Sequence, residues 1–351
     1  MTGREGRERN TDGRPAARWR ALALGLFGIF AGSCRAAPTV TLIEPQPGAG
    51  YPVTSAVARA ESGDTIVNAR FQHVRFHMWP GVALDLDQLR GRMRSRRGDG
   101  VVSFDDPRSF VLDIDTGTVG FPTADLSRLM NTYVFAYPGA PLRALSFQVE
   151  NGHLIQRGVL HKVVDIPFEM TGEVSVTDRG ELRVHPIAMK ICSIPGKGLM
   201  DALGVTLAKL LDLRKARGVR VEGNDLLIDP TNLMPPPAIS GRLVAVRLAP
   251  DTLVQYFGGA KPGTLAALQP DTAAPNYMLF RGGTLQFGKL FMVHADMQVI
   301  DLAPSDRFDF DIRQYQAQLV AGYHRTTADD GLLVFMPDLA ALRPKTVAGV
   351  P

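Results

Sequence analysis

Between Leu145 and Ile191 the chain repeats one pattern four times, an alternating apolar run closed by residues that turn the backbone sharply. The runs are Leu145 to Val149, Leu154 to Leu160, Phe168 to Val176 and Leu182 to Ile191, with turns at Asn151-Gly152 and Asp178-Arg179-Gly180. Alternation with a period of two places the apolar side chains on one face of an extended strand. Asn-Gly supplies the positive φ that a two-residue hairpin needs at both positions. The pattern therefore predicts an antiparallel meander with one apolar face, and that face must be covered by something else in the chain.

Further strands are predicted on both sides. Val67 to Met78 alternates, with Phe71, His73, Arg75 and His77 on one face and Val74, Phe76 and Met78 on the other. Val82 to Leu86 and Phe110 to Ile114 continue as strands, as do Val219 to Val221, Leu226 to Ile228 and Leu243 to Leu248. A helix is signalled over Thr123 to Ala136 by a Thr123 cap, Asp125 in the first turn, and Leu126, Leu129, Met130, Tyr133 and Val134 at three- and four-residue spacings; Tyr137-Pro138-Gly139 ends it. A second helix runs from Gly198 to about Leu213, with Leu199, Leu203, Leu207, Leu210 and Leu211 on one stripe. A short helix is expected over Pro250 to Phe257, opened by proline and closed by Gly258-Gly259. The fold class that follows is α+β and β-rich, a long twisted antiparallel sheet wrapped around one or two amphipathic helices.

One long-range similarity stands out. Leu145-Ser146-Phe147, Gly152-His153-Leu154 and Gly158-Val159-Leu160 are echoed by Met278-Leu279-Phe280, Gly283-Thr284-Leu285 and Gly288-Lys289-Leu290. Either a helix-and-hairpin unit is duplicated or two amphipathic hairpins resemble each other by chance, and both readings stay open.

The amino terminus reads as a targeting segment. A positive region ends at Arg20, and Ala21 to Gly32 follows without a charge. As a helix those residues would reach only ~18 Å, short of a ~30 Å hydrocarbon core, so the run is expected to be a signal peptide. Ala31-Gly32-Ser33-Cys34 is similar to the lipobox of bacterial lipoproteins, with Ala31 where leucine is usual. That resemblance implies lipidation of Cys34 and a membrane anchor; ordinary cleavage near Ala36 or Ala37 is the alternative. Cys192 is the only other cysteine and sits in an apolar stretch, so a buried, inert thiol is expected there.

The expected organisation is a signal peptide over residues 1–34, a Pro- and Gly-containing tether over 35–62 and a β-rich part over 63–122. A helix-and-meander unit over 123–248 and a helix-and-hairpin unit over 249–340 follow. The net charge of +4 comes largely from six arginines before residue 21, so the exported body is nearly neutral and nucleic acid is not an expected partner. One basic cluster remains at Arg90, Arg92, Arg94, Arg96 and Arg97. It is expected to be either a solvated hairpin end or, through Arg92, Arg94 and Arg96, a contact for an anionic headgroup.

Candidate chemistry is sparse. Asp113-Ile114-Asp115-Thr116-Gly117 resembles the Asp-Thr-Gly motif of aspartic proteases, which implies Asp115 as one of two carboxylates sharing a proton. Asp251-Thr252-Leu253 and Asp271-Thr272-Ala273 lack the glycine, so a strand ending in a Thr-Gly turn is the competing reading. The twelfth position of a calcium loop beginning at Asp113 is Ala124 rather than glutamate. Ile194-Pro195-Gly196-Lys197-Gly198 lacks the upstream glycine and the following Ser or Thr of a phosphate loop. His73 and His77 would stand ~13 Å apart along a strand, too far to share a metal. No catalytic residue, metal or cofactor is expected.

From Leu145 to Val246 the meander, the Leu199 to Leu213 helix and the short strands after it resemble the tubular lipid-binding (TULIP-like) superfamily, the architecture of bactericidal/permeability-increasing protein. The Thr123 to Ala136 helix matches such a domain's opening helix, and Phe110 to Ile114 is similar to the groove strands of AsmA-like lipid-transport proteins. The resemblance implies an apolar tunnel for acyl chains, lined by Leu126, Met130, Tyr133, Leu199, Leu203, Leu207 and Leu210. The expected function is non-enzymatic binding or transfer of a lipid or other amphipath in the bacterial periplasm or on the envelope membrane. A structural adaptor holding a protein partner by a strand edge is the alternative, and a hydrolase using Asp115 the second. The 12 methionines and 17 phenylalanines beside 2 tryptophans suit a lining that adapts to a flexible ligand.

Overall fold

The computed structural model describes residues 65–161, 164–191, 194–195, 212–258 and 268–342. The alternation from Val67 to Met78 becomes strand β1 (Ile66–Trp79), and Pro80-Gly81, with Gly81 at φ +66°, turns it back into β2 (Val82–Ser95). The chain continues through β3 (Val101–Ser103), β4 (Phe110–Pro122), helix α1 (Thr123–Leu129) and a π-turn over Met130–Val134. The meander is β5 (Leu142–Glu150), β6 (His153–His161), β7 (Asp165–Val176) and β8 (Leu182–Ile191), followed by the short β9 (Ile194–Pro195). Next come β10 (Val219–Glu222), β11 (Asp225–Ile228), α2 (Pro230–Leu233), β12 (Ala238–Gly241), β13 (Leu243–Ala249) and β14 (Thr252–Phe257). The last part holds β15 (Tyr277–Phe287), β16 (Leu290–Asp301), β17 (Phe308–Asp311), α3 (Tyr315–Ala321), β18 (Tyr323–Thr326), β19 (Leu332–Met336) and α4 (Leu339–Leu342).

These strands form two sheets, and the fold is α+β and dominated by sheet. The larger sheet runs β13-β14-β4-β2-β1-β15-β16-β19-β18, with β12 beside β4, β17 beside β1 and β3 beside β15. The smaller runs β10-β11-β8-β7-β6-β5, with β9 beside β8. Their apolar faces and α1 contribute to one hydrophobic cluster. Asn151 and Gly152 both take positive φ at the β5–β6 turn, as a two-residue hairpin requires.

α1 closes an edge as well as burying a stripe. Leu126, Leu129 and Met130 turn into the core. On its flank Asn131 accepts from the Leu145 amide (2.8 Å) and donates to the Leu145 carbonyl (2.7 Å), while the Ser127 hydroxyl accepts from the Phe147 amide (3.0 Å). Two side chains thus pair the outward Leu145 amide and carbonyl and the Phe147 amide, groups that a further strand would otherwise take up along this edge of the described sheet. Arg75 in β1 pins the helix to the larger sheet by pairing with both Asp85 (2.8 Å) and Asp125 (2.9 Å).

Several expectations are corrected. Phe71 does not share a face with His73, Arg75 and His77: it is buried with Val74, Phe76 and Met78. His73 sits at φ +49°, so the two-residue period slips there, where β1 leaves β15 and takes up β17. Residues 250–257 hold a strand rather than a helix. Asp251, at φ +53°, turns β13 into β14, and β14 then pairs with β4 along its whole length. Leu253, Val254 and Phe257 fit a helix period and a strand equally well, and the open edge of β4 decides between them. The Thr116-Gly117 pair does not end a strand, since β4 continues to Pro122.

The two similar glycine-containing runs are placed differently as well. Gly152 lies in the β5–β6 turn, whereas Gly283 lies inside β15 at φ +59° and Gly288 in the β15–β16 turn. With a strand in place of the second helix, the two segments do not share one arrangement. The expected Gly198 to Leu213 helix, apart from its last two residues, lies outside the described residues, as do Cys34, Cys192 and the signal and tether segments.

Candidate functional site

The loop from Asp229 to Pro237 lies against the buried faces of both sheets. Asp229 caps α2, accepting from the Thr231 amide (2.9 Å) and the Asn232 side chain (2.5 Å), and Pro230 opens the helix where no amide is needed. Burial alone would raise the Asp229 carboxyl, but the hydrogen bonds from Thr231 and Asn232 outweigh it and hold it below the ordinary carboxylate range. Prolines at 230, 235, 236 and 237 deny this stretch regular pairing.

Two apolar pockets abut there. The first is walled by Phe71, Phe76, Met78, Leu84 and Leu112 from the larger sheet; the second by Leu126 and Met130 from α1 and its extension, with Phe147, Leu154 and Val184 from the smaller sheet. Pro230, Met234 and Gln255 line both. Each encloses about 40 Å³. Past the second pocket the apolar face of the meander continues through Met170 and Met189 to Phe168 and Ile191, and burial declines along that row.

A polar cleft of about 500 Å³ borders the second pocket, and Val219 lines both. Its other walls are Glu181, Arg217, Gly218, Arg220, Leu227, Asp229 and Asn232. Arg220 donates to both oxygens of Glu181 (3.0 and 2.8 Å) and to Glu222 (2.9 Å). Arg217 lies over the Tyr133 ring, 5.6 Å from its centre, and donates to the Tyr133 hydroxyl at 3.3 Å. Tyr133 packs edge-on against Trp79, with ring centres 5.1 Å apart.

Of the expected lining, Leu126 and Met130 stand in the second pocket, while Tyr133 turns to Trp79 and Arg217 at the cleft. Leu199, Leu203, Leu207 and Leu210 lie outside the described residues. Arg92, Arg94 and Arg96 are not brought to either pocket. Arg92 and Arg94 alternate with buried Met93 and so occupy the opposite face of β2, where Arg92 meets Asp115 (2.8 Å) and Arg94 meets Asp113. Arg96 is exposed beyond the strand. Met234 and Gln255 went unread because one lies in the proline break and the other in the segment assigned to a helix. Asp229-Pro230 was the readable signal, an N-cap followed by proline.

Three titratable groups that the sequence singled out, Asp113, Asp115 and His77, are engaged structurally. Asp113 accepts from Ser240 (2.6 Å) as well as from Arg94, and Asp115 is 4% exposed under the Arg92 guanidinium. His77 pairs with Asp309. Among the described residues no group of three His, Cys, Asp or Glu side chains is placed to hold a metal ion, and no helix is long and apolar enough to cross a membrane.

Asp338, half-buried, accepts from the Asp309 amide (2.7 Å). Its carboxyl is raised to about 6, first by burial and then by the charges of Asp301, Asp306 and Asp309. A carboxyl raised on folding adds stability below its ordinary value and loses it as the pH climbs through its folded value. Asp338→Asn is therefore expected to stabilise the protein by about 1 kcal/mol at pH 8, after solvent screening, and by roughly a fifth of that at pH 4. Thermal unfolding at the two pH values measures this, and a gain equal at both would refute it. Comparison with protein-family models, curated proteins and solved structures finds no match to this chain.

Proposed function

We propose that this protein binds a lipid or other amphipath without covalent chemistry, lodging its tail in the apolar interior around Met234. The observation that carries the reading is the pair of apolar pockets abutting at Pro230, Met234 and Gln255, walled by facing sheets and continuous with the meander's apolar row. Each buried methylene of a tail gains about 0.8 kcal/mol. At about 40 Å³ apiece the pockets are smaller than the ~300–1,000 Å³ of a ligand site, so the tail enters by displacing side chains. Met78, Met130 and Met234 are unbranched and can move aside with little strain. The resemblance of the meander region to tubular lipid-binding domains supports the same reading. Export by the amino-terminal segment and anchoring through an acylated Cys34 would place the protein in the cell envelope.

Native mass spectrometry of the full-length protein, followed by organic extraction, is expected to release a phospholipid or related amphipath. Met234→Trp, which fills the junction of the pockets, should lose the adduct while keeping the circular dichroism of the parent. A protein that is clean, and stays clean after incubation with envelope lipids, would sink this reading. The weight would then move to a protein partner docked along β18, an edge strand whose four residues are all exposed, beside Val320 at 85% exposure.

A further inference from the structure

An amphipath has a polar end, and a tail buried beside Val219 would leave that end in the 500 Å³ cleft on the other side of the same residue. The cleft's charges are unequally committed. Arg220 is satisfied by Glu181 and Glu222, and Asp229 is satisfied by the cap it makes on α2. Arg217 has no carboxylate within ion-pair distance among the described residues. Its one hydrogen bond there goes to a phenol, whose ring centre lies 5.6 Å from the guanidinium carbon. A planar guanidinium with donors to spare, held against an aromatic ring, is suited to bidentate capture of a phosphate or carboxylate.

The backbone holds this arginine in place. Gly218 takes φ +65°, and a Cβ there would come within 2.6 Å of the Leu233 amide nitrogen. The Gly218 carbonyl in turn accepts from the Asp229 amide (2.8 Å). The chain before β10 is thus pressed against α2, with Arg217 and Val219 both on the cleft wall. We propose that this cleft is the headgroup site of the bound amphipath and that Arg217 recognises an anionic group, a phosphate or carboxylate, on it. The assignment rests on the tail-binding reading above.

Three probes separate the two: 1-oleoyl lysophosphatidate, monooleoylglycerol, which has the same tail without the charge, and glycerol 3-phosphate, which has the charge without the tail. Each is titrated into full-length protein and followed by tryptophan emission, since Trp79 packs on the tyrosine beneath Arg217. Lysophosphatidate is expected to bind about 10- to 100-fold more tightly than monooleoylglycerol, the range for a hydrogen-bonded charge. Arg217→Gln should bring that ratio close to one with monooleoylglycerol binding unchanged, and Arg217→Lys should keep part of it. Equal binding of the two lipids by the parent protein, or equal weakening of both by Arg217→Gln, overturns the headgroup site and leaves tail binding standing. Glycerol 3-phosphate binding as tightly as lysophosphatidate would make the cleft a site for free phosphate compounds and also overturns it. Failure of both lipids to bind removes the tail-binding reading itself.

Discussion

Phe104→Ala is expected to cost about 3–5 kcal/mol of stability, the range for truncating a fully buried aromatic ring. Phe104 is 1% exposed and lies within 6.3 Å, centre to centre, of five other rings: Phe110, Phe280, Phe287, Phe310 and Tyr315. Those rings come from β4, β15, β17 and α3, so one side chain ties together elements more than 200 residues apart in sequence. The Tyr315 hydroxyl accepts from the Gly288 amide (2.6 Å) and donates to Asp105, the residue after Phe104, so the cavity left by alanine has little freedom to collapse. Against a typical total of about 5–15 kcal/mol, such a loss is large enough to depress the folded yield. Urea unfolding of the full-length protein measures it, with Phe104→Leu as the companion that keeps most of the volume and should lose much less. A loss below about 1 kcal/mol for the alanine variant would mean that the cluster is not the keystone its contacts suggest.

Phe104 was not legible as a core residue in the sequence, since it follows a three-residue strand and belongs to no periodic run. What was legible shares a physical cause: apolar alternation over a run of five to ten residues records a strand with one face in the core, and β5, β6, β7 and β8 each carry such a run, as β1 does up to its slip at His73. Asn151-Gly152 was readable because only a few residue types tolerate that turn. The errors arose where a distant strand decided the outcome. The slip at His73 reflects the exchange of β15 for β17, and no residue near His73 records where those strands will lie. Residues 252 to 257 become a strand because β4 offers them an edge. The site divides in the same way. Leu126 and Met130 were readable from the spacing of the helix stripe, whereas Arg217 gains its meaning only when Tyr133, 84 residues away in sequence, is brought beneath it.

The Asp-Thr-Gly string marks the second large effect. Asp115 is the extra residue where β4 slips against β2, between the Gly91–Ile114 and Arg90–Thr116 pairs, and that slip turns its carboxylate towards Arg92. Gly91 permits the arrangement, because a Cβ there would come within 2.3 Å of the Asp113 carbonyl oxygen. Arg92→Met removes the partner of a carboxylate that is 4% exposed, and a buried charge left alone is costly. The Arg92 side chain is itself 40% exposed, which lets water reach the site, so the expected loss is about 2–4 kcal/mol, below the full range for a buried pair. Arg92→Met with Asp115→Leu removes the stranded charge and should recover at least half of that loss in urea unfolding. Asp115→Asn, which keeps the shape and part of the hydrogen bonding, should fold and leave amphipath binding unchanged. If the double variant is as unstable as Arg92→Met alone, the loss comes from the arginine's packing rather than from the stranded charge. If Asp115→Asn folds but loses function, the carboxylate is chemical after all, and the hydrolase reading regains the ground that the ion pair had taken from it.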